Sequence, residues 1–127
     1  MTPAIDPGSS LFGRGDPGPA PVMVFAQRSV DFGKVKRGEK REYTYTFTNE
    51  GELPLEVDLI SACDCTAVDF NYKPYKPGEK GEIRIVFDSS EKDAPETIEI
   101  EILLKNTLPG TDIPIIEKLS YTFDIVR

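Results

Sequence analysis

From residue 22 onward, apolar side chains return at every second position and not at helical spacing. In "EYTYTFTN" (42–49), Tyr43, Tyr45 and Phe47 alternate with Thr44, Thr46 and Thr48, the pattern of a half-buried strand. "LPLEVDLI" (53–60) places Leu53, Leu55, Val57 and Leu59 on one face, against Glu56 and Asp58 on the other. "GEIRIVFD" (81–88) turns Ile83, Ile85 and Phe87 inward, and "ETIEIEILL" (96–104) sets Ile98, Ile100 and Ile102 against Thr97, Glu99 and Glu101. "KLSYTFDIV" (118–126) ends the series with Leu119, Tyr121, Phe123 and Ile125 on one side. Weaker strands are predicted over 22–26, 29–32 and 65–70.

The connections carry turn chemistry: Arg37-Gly38-Glu39, Lys76-Pro77-Gly78-Glu79 and Leu108-Pro109-Gly110-Thr111. Asn49-Glu50-Gly51-Glu52 separates the strands at 42–49 and 53–60 and predicts a hairpin between them, with Asn49 bonding its own backbone. Glycines 33, 38, 51, 78 and 81 fall at strand ends, where a positive φ is expected. Seven to eight short strands at regular intervals predict an all-β chain, an antiparallel β-sandwich over 22–127. Residues 1–21 hold five prolines and four glycines and predict a disordered, flexible tail or linker. The Arg14-Gly15-Asp16 tripeptide within it reads as a chance occurrence and carries no function.

Composition narrows the function more than it defines it. A net charge of −7 argues against nucleic acid as a partner, because phosphate contacts need a basic face. The early basic group of Arg28, Lys34, Lys36, Arg37, Lys40 and Arg41 reads as solvated turns and strand edges rather than a binding patch. No apolar run is long enough to span a membrane, and no leader of the secretory type is written into the chain. Histidine is absent, which removes Ser-His-Asp and Cys-His catalysis and every imidazole metal site. Glu96, Glu99 and Glu101 lie along one strand as its wet face, whereas calcium needs six or more converging oxygens. These readings predict a non-enzymatic chain with no cofactor.

The chemistry that remains is "ACDCT", with the only two cysteines, Cys63 and Cys65. In an extended strand their Cα atoms stand about 6.6 Å apart with parallel Cβ vectors. A bond between them therefore needs a kinked backbone, which a turn through Asp64 can supply. Zinc wants four ligands and finds two thiolates here. Copper(I) can be held by two sulfurs, but the neighbouring Asp64 is a hard ligand. Four readings stay open: buried packing, an oxidised local pair, a metal such as copper(I), and intermolecular thiol chemistry.

The ordered combination of motifs is more specific than any one of them. It runs Val30-Asp31-Phe32-Gly33, Arg37-Gly38-Glu39, Phe47-Thr48-Asn49-Glu50-Gly51, Leu53-Pro54-Leu55, Cys63-Asp64-Cys65-Thr66, Tyr75-Lys76-Pro77-Gly78-Glu79-Lys80-Gly81 and Val86-Phe87-Asp88. Over about residues 24–105 this resembles the bacterial family called domain of unknown function 1573. That family is related to immunoglobulin-like modules of the ASPM/SPD-2/Hydin type and, more distantly, to major sperm protein and pilus-chaperone domains. Asp64 stands where the family more often has glycine, and the long final hairpin adds a strand. The resemblance implies that the sandwich is immunoglobulin-like and that the protein is exported, periplasmic or cell-surface. The expected function is a monomeric accessory or interaction module of the bacterial envelope that binds an unknown protein partner by strand addition. The rival is a thiol/disulfide or copper(I)-handling domain using Cys63 and Cys65.

Overall fold

A computed structural model describes residues 19–127 and, within 1–18, only the backbone pairing of Ser10–Leu11 with Gly13–Arg14. The expected tail over 1–21 and the Arg14-Gly15-Asp16 tripeptide thus fall almost wholly outside the described residues. The chain is already docked at Ala20, whose carbonyl accepts from Glu52 N–H at 2.9 Å.

Eight strands form two four-stranded sheets among the described residues, with no helix. They are β1 (Met23–Phe25), β2 (Ser29–Lys36), β3 (Lys40–Asn49), β4 (Val57–Ser61), β5 (Thr66–Phe70), β6 (Lys80–Asp88), β7 (Glu96–Thr107) and β8 (Pro114–Val126). One sheet runs β1-β3-β6-β5 and the other β2-β8-β7-β4. The inward positions meet in one core that includes Tyr45, Phe47, Ile83, Ile85, Phe87, Ile100, Ile102, Tyr121 and Phe123. Tyr45 crosses that core to donate its hydroxyl to Ser120 O at 2.6 Å, tying the sheets together. Burial pushes its phenol well above the ordinary range, so the hydroxyl remains a donor.

The alternating runs at 42–49, 81–88, 96–104 and 118–126 lie in β3, β6, β7 and β8. Four details differ from expectation. The sandwich is not wholly antiparallel, because β2 runs parallel to β8. The turn at 49–52 is not a hairpin: β3 and β4 lie in different sheets, and Leu55 instead bridges Tyr75. The 53–60 run is a strand only from Val57, and its register shifts between Val57 and Leu59. The shift turns Leu59 out to 55% exposure, while Leu55 and Val57 stay buried. Finally, of the five glycines expected at positive φ, only Gly33, Gly38 and Gly78 adopt it. Gly51 and Gly81 serve close approach. A Cβ on Gly81 would stand 2.3 Å from Phe47 Cζ, and one on Gly51 2.2 Å from Ala20 O.

Candidate functional site: the cysteine turn and the open edge

The stretch from Ala62 to Cys65 carries the chain from β4, an edge of one sheet, to β5, an edge of the other. It turns at Asp64 and Cys65, closed by Thr66 N–H donating to Cys63 O at 2.9 Å. That turn supplies the kink a local bond requires: the Cα atoms of Cys63 and Cys65 are 5.2 Å apart and their sulfurs are joined. The extended geometry considered from the sequence is therefore replaced by a turn, and Asp64 fits it without glycine. Both cysteines are half-buried against the core.

The sulfurs have distinct surroundings. Cys63 Sγ accepts the Cys65 N–H at 3.0 Å. Cys65 Sγ lies 3.4 Å from Tyr121 Oη and 3.6 Å from Thr66 Oγ1, and those two oxygens are 2.6 Å apart. Burial raises the Tyr121 phenol above its usual range; the Thr66 hydrogen bond offsets part of this, and the charge of Glu96 adds to it. The hydroxyl thus stays protonated at neutral pH and available to donate. Tyr121 and Thr66 were legible only as strand residues. Tyr121 lies 56 positions from Cys65, and nothing local signals that they meet.

A groove of about 480 Å³ opens beside the bond, lined by Cys63, Asp64, Cys65, Asp88, Ser90, Glu91 and Lys92. Asp88 is held below the usual carboxylate range, chiefly by the Ser90 hydroxyl and then by the Ser90 amide, so it stays charged. Lys92 is engaged by Glu96 at 2.9 Å. No cluster of three or more potential metal-ligating side chains occurs among the described residues. Glu96, Glu99 and Glu101 do not converge; Glu96 pairs with Lys92, and Glu101 approaches Lys118 at 3.9 Å. Three of the six early basic residues are held in separate ion pairs: Arg28 with Glu117, Arg37 with Asp93, Arg41 with Glu39.

Because the disulfide encloses a single residue, it removes little entropy from the unfolded chain, roughly 1–2 kcal/mol in the loop-closure picture. We expect reduction to lower Tm by roughly 5–10 °C and to leave the far-ultraviolet circular dichroism unchanged. Calorimetry with and without a phosphine reductant checks this, and global unfolding on reduction would refute it.

The other feature of this side is β5 itself. Asp88 N–H donates to Cys65 O, which makes 65 and 88 a hydrogen-bonded pair of the ladder. By alternation along the β5–β6 register, residues 67 and 69 bond to β6, while 66, 68 and 70 present backbone groups to the open edge. Thr66 N–H is used by the turn, so among the described residues Val68 and Phe70 carry the unpaired donors. The remaining edges are blunted. β1 has three residues, and the pairings of β2 and β4 are each interrupted by a register shift. A larger groove of about 590 Å³ on the outer face of this sheet includes Asp69, Lys73 and Arg84 in its lining. Two of those charges are already paired, Lys73 with Glu79 and Arg84 with Glu42.

Comparison with known proteins fits this architecture. The profile of the family described as "Protein of unknown function (DUF1573)" matches residues 23–116. No curated protein matches by sequence. Among solved structures, the VesB protease of Vibrio cholerae superposes with a TM-score of 0.64 at 12% identity, over 80% of this chain and 31% of that one. A PapD-like domain of human CEP192 gives 0.64 at 9% identity, over 83% and 85%. The E. coli chaperone DraB gives 0.58 at 14% identity, over 82% and 55%. This chain thus spans about a third of the protease and about half of the chaperone. At such identities the likeness establishes a PapD-like, immunoglobulin-like fold. No helix of the described residues is long and apolar enough to cross a membrane.

Proposed function

The chain belongs to the DUF1573 family, and we propose that it is a non-enzymatic interaction module of the bacterial envelope that takes an extended segment of a partner protein along β5. The observation that carries this reading is the β5 edge: five residues in unbroken register, with the Val68 and Phe70 backbone groups unpaired among the described residues. An added strand would satisfy those groups by main-chain hydrogen bonds, and alternate side chains would supply selectivity. The fold shared with a chaperone and with a PapD-like domain is compatible with this use. Export to the periplasm or cell surface is part of the same proposal and accords with the family resemblance.

Selection of a displayed peptide library against the full chain tests it. Enriched peptides are expected to be extended and apolar-alternating, and their binding should be lost in Val68→Pro. Proline there removes an edge donor without removing a ladder bond, so the variant stays folded. Undiminished binding to Val68→Pro, or enrichment of no peptide at all, would sink the proposal.

A further inference from the structure

We propose that Cys63–Cys65 is a thiol–disulfide exchange site for thiols in cationic surroundings, with Cys63 as the sulfur attacked and Cys65 as the leaving thiolate. Three observations converge on it. The bond closes a turn of one residue, the loop size for which closure entropy predicts the smallest stabilisation. It borders an open groove instead of lying sealed in the core. The two sulfurs are also chemically unequal: among the described residues two hydroxyls gather at Cys65 Sγ, whereas Cys63 Sγ meets only the backbone N–H of Cys65.

The step balances with thiols alone. An incoming thiolate RS⁻ attacks Cys63 Sγ, an R–S–S–Cys63 bond forms, the Cys63–Cys65 bond breaks, and its electron pair leaves on Cys65 Sγ. Of the two hydroxyl protons of Thr66 and Tyr121, one lies between their oxygens 2.6 Å apart. The other is free to point at Cys65 Sγ, where negative charge develops, and a hydrogen bond to an ionised acceptor is the stronger kind. A second thiolate then attacks the mixed disulfide, releasing RS–SR and the Cys63 thiolate. Two electrons pass from the two thiols to the protein, and protons from solvent complete the dithiol. The groove's carboxylates, Asp64, Asp88 and Glu91, face the incoming group, and Lys92, its one cation among the described residues, is engaged by Glu96. A positively charged thiol is therefore favoured and an anionic one repelled. Tyr121 and Thr66 are positioning residues in this scheme.

The test measures reduction of the oxidised full chain by cysteamine (cationic), 2-mercaptoethanol (neutral) and 3-mercaptopropionate (anionic). Each rate is divided by that for the oxidised, end-capped peptide Ala-Cys-Asp-Cys-Thr, which removes the intrinsic reactivity of each thiol. The ratio should be roughly tenfold or more for cysteamine, as expected of one strong hydrogen bond to the leaving thiolate. It should fall in the order cysteamine, mercaptoethanol, mercaptopropionate, and the spread should shrink at high salt. Acid-quenched mass spectrometry should find the mixed disulfide on Cys63. Tyr121→Phe should slow exchange roughly tenfold and move the midpoint of Cys65 alkylation in the reduced chain to higher pH. The charges at Asp64, Asp88, Glu91, Lys92 and Glu96 are untouched by that substitution. Thr66→Ala provides a second variant should Tyr121→Phe lose its fold. Ratios at or below one for all three thiols, a mixed disulfide on Cys65, or an unmoved alkylation midpoint in both folded variants would each overturn the proposal.

Discussion

Asn49→Ala is expected to destabilise the sandwich by roughly 3–5 kcal/mol, with Tm lower by roughly 15–25 °C. Asn49 is fully buried at the end of β3 and uses its whole amide. Oδ1 accepts from Val22 N–H at 3.2 Å and Gly51 N–H at 3.0 Å; Nδ2 donates to Leu53 O at 2.8 Å and Tyr75 O at 2.9 Å. One side chain thus joins the start of β1, the crossing after β3 and the segment before β6. Truncation leaves Val22 N–H, Gly51 N–H and Leu53 O without that partner, and each then costs its desolvation, whereas Tyr75 O keeps the Leu55 N–H at 2.8 Å. Asn49→Asp keeps the volume but turns two donors into acceptors facing carbonyls. It should be at least as damaging as alanine. Denaturant melts of both variants check this. An aspartate variant near wild-type stability would show that shape, not hydrogen bonding, is what position 49 supplies.

Gly81→Ala is the second large effect, at roughly 2–3 kcal/mol, from one added methyl group. That carbon would meet Phe47 Cζ at 2.3 Å, Phe47 Cε1 at 2.7 Å and Tyr75 Cε2 at 2.7 Å. Phe47 and Tyr75 are themselves packed edge to face, with centroids 5.1 Å apart, so neither ring can yield alone. Gly78→Ala is the comparison. A φ of 85° strains any side chain, but nothing lies within 4 Å of the new carbon, and the cost is roughly 1–2 kcal/mol. Phe47→Leu introduced with Gly81→Ala should recover part of the loss, because the clash partner shrinks. Strictly additive melts for that pair would contradict the steric account.

The strands were legible where both ends of a period-two run face one core. Ile83, Ile85 and Phe87, or Ile98, Ile100 and Ile102, needed no more than alternation. Asn49 was legible as a turn former, since its bond to Gly51 is local, but its grip on Tyr75 O spans 26 residues and left no trace in the pattern. The hairpin expected at 49–52 failed for a related reason. Turn residues mark where a strand stops, not which sheet receives the next one, and here the chain crosses to the opposite sheet. The Val57–Leu59 register shift was equally hidden, because "LPLEVDLI" alternates on paper straight through it. At the cysteines, the sequence isolates the pair and the need for a kink. The hydroxyls that distinguish one sulfur from the other come partly from β8, and the groove is completed by residues 88–92. Those are tertiary facts, set by which strands meet across the sandwich.

The claim that this domain works through its β5 edge is tested most directly by amide hydrogen exchange on the full chain, free and bound to a peptide obtained by selection. Strand addition at β5 predicts that the Val68 and Phe70 amides, open in the free chain, become strongly protected in the complex. The amides of Ala67 and Asp69, already bonded to β6, should change little. Protection confined to other surfaces, with Val68 and Phe70 exchanging as fast bound as free, would contradict it.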